Sequence, residues 1–205
     1  MLSRLAKSTT HFLVCKGIIE REDEEVYAYG TELLYSAVLN ILLAVIISLI
    51  TDTLLPTFLF MLPFIIIRQC IGGYHAKTHI GCMAILGTVL IVFFQIVRYL
   101  PLKAEMPVAV TLTIVSVILT IAFAPVEHPN KPLSDKDKHR LRKRGAAAVV
   151  FAAILIIILS LSELTRRWGM YIALGMFTAA AAMFCQVIKY QRAKVNSDIT
   201  GQNQT

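Results

Sequence analysis

The sequence is poor in charge. Asp, Glu, Lys and Arg make up only 16% of its 205 residues, while 57% are apolar, against roughly 25% and 45–50% in an ordinary soluble domain. A composition this apolar argues against a water-soluble globule. The four cysteines contain no C-x-x-C pair, so neither a redox motif nor a disulfide framework is indicated. The apolar stretch between Lys7 and Lys16 is too short for a secretory signal and has no small-residue cleavage site after it. No internal repeat or low-complexity tract divides the chain. No nucleic-acid-binding motif accompanies the formal charge of +7.

Long apolar runs are what the sequence does have. They cover residues 33–51, 53–67, 80–97, 106–126, 145–162 and 168–188. A bilayer core takes about 20 helical residues, so 145–162 only just qualifies. The run 53–67 is short and carries Pro56 and Pro63, each of which removes a backbone donor. A re-entrant or interfacial hairpin there is the competing expectation. The long spans are expected to hold no ionisable pair of the kind a transport pathway uses.

The basic residues set the orientation. With the N-terminus in the cytoplasm, sixteen of the twenty Lys and Arg fall inside, and only Arg98, Lys103, Arg166 and Arg167 fall outside. An odd number of spans breaks this pattern, which argues that 53–67 crosses. The expected fold is all-α: a polytopic membrane protein of six transmembrane helices with both termini cytoplasmic. Residues 1–30 form an amphipathic N-terminal region in which Leu2, Leu5, Thr9, Phe12 and Leu13 recur at helical spacing, with Arg4, Lys7 and His11 elsewhere around the axis. The acidic run 20–25 reads as a solvated helix start. Residues 31–190 form the membrane domain, and 191–205 a flexible polar tail.

One connection carries more chemistry than a loop needs. Residues 68–82 hold Arg68, Cys70, Gly72, Gly73, His75, His79 and Cys82 on the cytoplasmic side between two spans. A cysteine attacks as its thiolate, so a catalytic one wants a histidine or a positive field nearby, and His75 and Arg68 could supply both. In one continuous helix His75 and Cys82 stand about 10.5 Å apart along the axis, so a working pair needs a bend, for which Gly72, Gly73 and Gly81 are suited. A third span beginning near Cys82 also offers helix N-terminal N–H groups to an oxyanion. Two other readings of the same residues stand beside this one. Cys70, His75, His79 and Cys82 could ligate zinc, although their spacing is not that of a standard finger or ribbon. Alternatively, Cys82 is a small core residue and His75 an interfacial polar one. Cys15 and Cys185 read as structural.

At these positions the sequence resembles the accessory gene regulator B family, membrane-embedded cysteine peptidases that process quorum-sensing propeptides in Gram-positive bacteria. The resemblance rests on Arg68, on Gly73-Tyr74-His75-Ala76 and on Cys82, and extends to Ala124-Pro-Val-Glu-His-Pro-Asn-Lys-Pro-Leu133. It implies a cytoplasmic-side site in the cell membrane with His75 and Cys82 as the catalytic pair and Arg68, Gly72, Gly73 and Lys131 in support. It further implies cleavage of a short propeptide through a thioester acyl-enzyme, followed by closure of a thiolactone or lactone ring, with no metal and no cofactor. The implied substrate has an amphipathic leader and an acidic C-terminal tail, for which the basic stretch 131–144 could serve as a dock. That stretch could equally be a topology signal drawn to anionic lipid. Membrane lipid and a second copy of the chain are the other expected partners, and nucleic acid is not one. The alternative class is a membrane transporter or scaffold using the Cys/His cluster to bind metal or peptide.

Overall fold

The computed structural model describes residues 2–71, 79–126 and 134–202, with the backbone alone for residue 79 and for 193–202. Among the described residues the regular structure is entirely helical. Helix α1 spans Leu2–Cys15, and a short 3-10 turn at Arg21–Asp23 leads into α2, Glu24–Ile50. Then follow α3 Leu54–Ile71, α4 His79–Tyr99, α5 Leu102–Phe123, α6 Asp135–Leu161 and α7 Arg166–Gln202. Six helices among the described residues are long and apolar enough to cross a membrane. The protein is therefore an all-α polytopic membrane protein.

The run at 53–67 is part of one continuous helix, not a hairpin. Pro56 lies near the start of α3, and Pro63 is accommodated in its interior, buried. Upstream, α2 stops where Asp52 takes a left-handed φ of 53° and the Thr53 N–H bonds back to the Ser48 carbonyl at 2.8 Å, a helix-ending arrangement that a short polar side chain tolerates. Part of the basic stretch is also helical. Ser134 caps α6, accepting from the Asp137 N–H at 3.2 Å and donating to the Asp137 carboxylate at 2.8 Å, so the charged residues from Asp135 onward continue unbroken into the apolar span. The Ser134 oxygen thereby satisfies one first-turn N–H that has no intrahelical partner, and the Asp137 carboxylate orients its hydroxyl. Helix α7 likewise runs to Gln202, well past the end of its apolar run at Ile188.

The chain forms two compact units. In the first, which contains α1, α2 and α4 as far as Leu90, α1 lies on α2. Ala6 and Thr10 are buried, and the Thr9 and Tyr35 hydroxyls meet at 2.8 Å. The expected apolar face of α1 is divided: Leu2, Thr9 and Leu13 are half-buried, while Leu5 and Phe12 stay outside. Small residues permit the close approach, and the larger ones remain available to a lipid surface.

The second unit contains α3, the remainder of α4, α5, α6 and α7. Helix α7 is its centre, packed against α3, α5 and α6. Ala173, Met176, Ala179, Ala180 and Met183 are completely buried. At Gly175 a Cβ would collide with the Phe60 carbonyl of α3, so the small side chain is what lets these two backbones meet. Gly145 plays a similar part between α6 and α3, where a Cβ would stand 3.0 Å from the Ile71 side chain. The Val126 N–H bonds to the Ile71 carbonyl at 3.0 Å, so α3 and α5 end side by side. Large apolar residues face outward, among them Phe151 and Leu161 at 70% and 71% exposure, a surface that hydrocarbon rather than water satisfies.

Candidate active site

Cys82 stands in the first turn of α4, which begins at His79, and its side chain is half-buried. The first N–H groups of an α-helix have no i−4 carbonyl to bond, and their dipoles sum to partial positive charge. A sulfur at this place is therefore beside donors suited to a developing oxyanion. Within the same unit, Asn40 of α2 reaches it. The Asn40 Nδ2 donates to the Ser36 carbonyl at 2.8 Å and to Cys82 Sγ at 3.9 Å, the long end for a sulfur acceptor. The Asn40 Oδ1 is buried with no partner.

Asn40 was invisible to motif reasoning because it lies 42 residues from Cys82 in sequence. The one signal was an amide side chain in the middle of an apolar run, where a polar group is costly unless it has partners.

The other expected site residues divide between described and undescribed segments. Arg68 is half-buried in the last turn of α3, with its guanidinium 5.4 Å from the centre of the Phe64 ring. A cation is favoured at a helix C-terminus and over an aromatic face. Cys70 is also half-buried, and its Cβ lies 3.6 Å from where a Cβ on Gly145 would stand. Gly72, Gly73, His75 and Lys131 lie outside the described residues. Cys82 belongs to the first unit and Arg68 to the second. Among the described residues no group of three or more His, Cys, Asp and Glu is placed to hold a metal ion.

Three polar arrangements were missed or misread in the sequence. The expectation that the spans hold no ionisable pair is corrected by Glu105 and Arg167. Glu105 is completely buried on α5, and its Oε1 accepts from Arg167 Nε of α7 at 2.7 Å. Both residues belong to helices that qualify as spans, but each lies one residue before an apolar run, so hydropathy alone excluded them. Cys15, read from the sequence as structural, has a histidine beside it. His11, one turn earlier, puts Nε2 3.7 Å from the Cys15 sulfur, while its Nδ1 lies 3.3 Å from a Glu24 carboxylate oxygen. Finally, Lys138, His139 and Arg142 line a cavity of about 280 Å³ together with Asp135, Ala124 and Pro125. Helical spacing from the Ser134 cap is what gathers these charges into one concavity, with Asp135 and Lys138 3.8 Å apart.

Comparison with known proteins bears on the whole chain. The family described as accessory gene regulator B matches residues 6–189. An AgrB-like protein of Clostridium perfringens strain SM101 is 25% identical over 167 residues, 78% of this chain and 78% of the relative. A second AgrB-like protein, from Clostridium perfringens strain 13, is 23% identical over 148 residues, 69% of each chain. No solved structure matches. With a match extending from within α1 to near the end of the membrane-spanning part of α7, the chain belongs to the accessory gene regulator B family.

Proposed function

We propose that this protein is a membrane-embedded cysteine endopeptidase that cuts a quorum-sensing propeptide on its C-terminal side and promotes closure of the released acyl group into a macrocycle. Family membership implies a part in quorum-sensing propeptide processing. The observation that carries the finer reading is the half-buried Cys82 in the N-terminal turn of α4, seven residues after His75 in sequence.

In this mechanism the Cys82 sulfur bonds to the carbonyl carbon of the scissile peptide as His75 takes the thiol proton. The first-turn N–H groups of α4 receive the negative charge on the carbonyl oxygen. Collapse of the tetrahedral species breaks the C–N bond, His75 returns the proton to the leaving amine, and a thioester remains on Cys82. A thiol or hydroxyl within the retained peptide then attacks that thioester, closing the ring and restoring the Cys82 thiol. Exchange of one thioester for another is nearly neutral in bond energy, so the outcome depends on holding the internal nucleophile close and excluding water.

The substrate's acidic tail docks on the basic residues around the cavity of Lys138, His139 and Arg142, with Lys131 in the adjoining sequence. The transporter alternative has one observation in its favour, the buried Glu105–Arg167 pair. That pair links the first turns of two helices, whereas transport sites commonly lie near the bilayer midplane.

Co-expression with a propeptide tests the reading. Wild type should cut it, Cys82→Ala and His75→Ala should leave it whole, and the intact mass of trapped enzyme should show an acyl adduct on Cys82. Undiminished cutting by Cys82→Ala overturns the mechanism.

A further inference from the structure

An amide in the middle of a membrane span calls for a reason. Asn40 lies within the apolar run of α2, where leucine would fill similar volume and leave no polar group to satisfy. Its two N–H groups have separate acceptors, the Ser36 carbonyl at 2.8 Å and Cys82 Sγ at 3.9 Å. The Ser36 carbonyl can only accept, so the amide nitrogen must be on that side, and turning the amide over would set oxygen against oxygen. The orientation leaves Oδ1 buried without a partner. An asparagine serving only to join helices would be expected to use its acceptor; this one presents its donor to sulfur and leaves the acceptor unused.

We propose that Asn40 is a positioning residue for the Cys82 nucleophile, holding the sulfur from the neighbouring helix through an amide N–H. The inference rests on the reading of Cys82 as the attacking group. A hydrogen bond to an ionised acceptor is shorter and stronger than one to its neutral form, so this contact tightens as negative charge gathers on sulfur and weakens when the sulfur becomes a thioester. It fixes the direction of a side chain that would otherwise choose among rotamers. The α2–α4 approach supports that geometry: a Cβ on Gly87, further along α4, would stand 3.4 Å from the Ile47 side chain of α2.

The test uses the full chain in detergent or proteoliposomes without propeptide. The rate at which iodoacetamide alkylates Cys82 is followed by peptide mass mapping, with exposed Cys15 as the internal reference. Asn40→Leu keeps the volume and the helix but removes the donor. Asn40→Asp puts a negatively charged acceptor near the sulfur. Cys82 alkylation should slow about fivefold in Asn40→Leu and about tenfold or more in Asn40→Asp, with Cys15 labelling unchanged. A variant that merely loosened the helix pair would expose the thiol and speed its alkylation. Slowing in both variants supports the assignment, whereas a wild-type or faster rate in either overturns it. Because no propeptide is present, failure here is separate from failure of the peptidase reading, which shows only in the cleavage assay.

Discussion

Arg167 donates from Nε to Glu105 Oε1 across 2.7 Å, tying the first turn of α7 to the first turn of α5. Glu105 has no exposed surface, while Arg167 is 42% exposed. The acid gains from the N-terminal dipole of α5, and the arginine, placed against the dipole of α7, depends on the acid instead. The second Glu105 oxygen is buried without a hydrogen-bond partner, so the carboxylate has little else to compensate its removal from water. Arg167→Ala should cost about 3 kcal/mol, the low end for breaking a buried pair because the arginine is partly exposed. Thermal unfolding in detergent measures it, and Glu105→Gln in the Arg167→Ala background should recover part of the loss. A midpoint unchanged by Arg167→Ala contradicts this account of the pair.

Two glycines should respond in opposite directions to the same methyl group. At Gly175 the added Cβ meets the Phe60 backbone carbonyl, which has no flexible side chain to yield, so Gly175→Ala should destabilise by about 2 kcal/mol. At Gly30, inside α2, nothing lies within 4 Å of the added atom. Gly30→Ala should stabilise by about 0.5–1 kcal/mol through reduced backbone freedom in the unfolded chain. Unfolding midpoints of the two variants, measured side by side, check the contrast.

His11 and Glu24 should make Cys15 reactive. The His11 Nε2 lies 3.7 Å from the Cys15 sulfur, and the Glu24 carboxylate at the other ring nitrogen orients the imidazole toward it. His11→Ala should slow iodoacetamide labelling of Cys15 roughly threefold, and Glu24→Gln should have a smaller effect. Equal labelling in all three proteins would show that this arrangement has no chemical consequence.

Docking of an acidic peptide at the Lys138–His139–Arg142 cavity should depend on salt. Raising the ionic strength from about 0.05 M to about 0.5 M shortens the screening length severalfold and should weaken binding of a labelled acidic-tail peptide about tenfold. Arg142→Glu should weaken binding at low salt and flatten the salt dependence. A peptide whose acidic residues are replaced by amides serves as the control, and equal binding of the two peptides speaks against a charge-based dock.

Hydropathy and the sorting of basic residues were enough to indicate an all-α membrane protein with six spans, because both signals are local to a segment. The same counting stopped each run at its first charge. It therefore passed over Glu105 and Arg167, and it began the fifth run at Gly145 although the residues from Asp135 to Arg144 form the first turns of the same helix, α6. Cys82 stood out through its neighbours in sequence, and Asn40 had no such neighbours.

The sequence by itself determined how many segments enter the membrane, the family motif around His75 and Cys82, and the concentration of positive charge between the fourth and fifth apolar runs. Only the tertiary structure decided that Asn40 meets Cys82, that Arg167 meets Glu105, and that Gly175 lets α7 reach the Phe60 backbone. Hydrophobic transfer adds along the chain and can be read residue by residue. A contact between helices depends on the rotation of each about its axis and on the depth at which their side chains meet, and packing of the whole unit sets both.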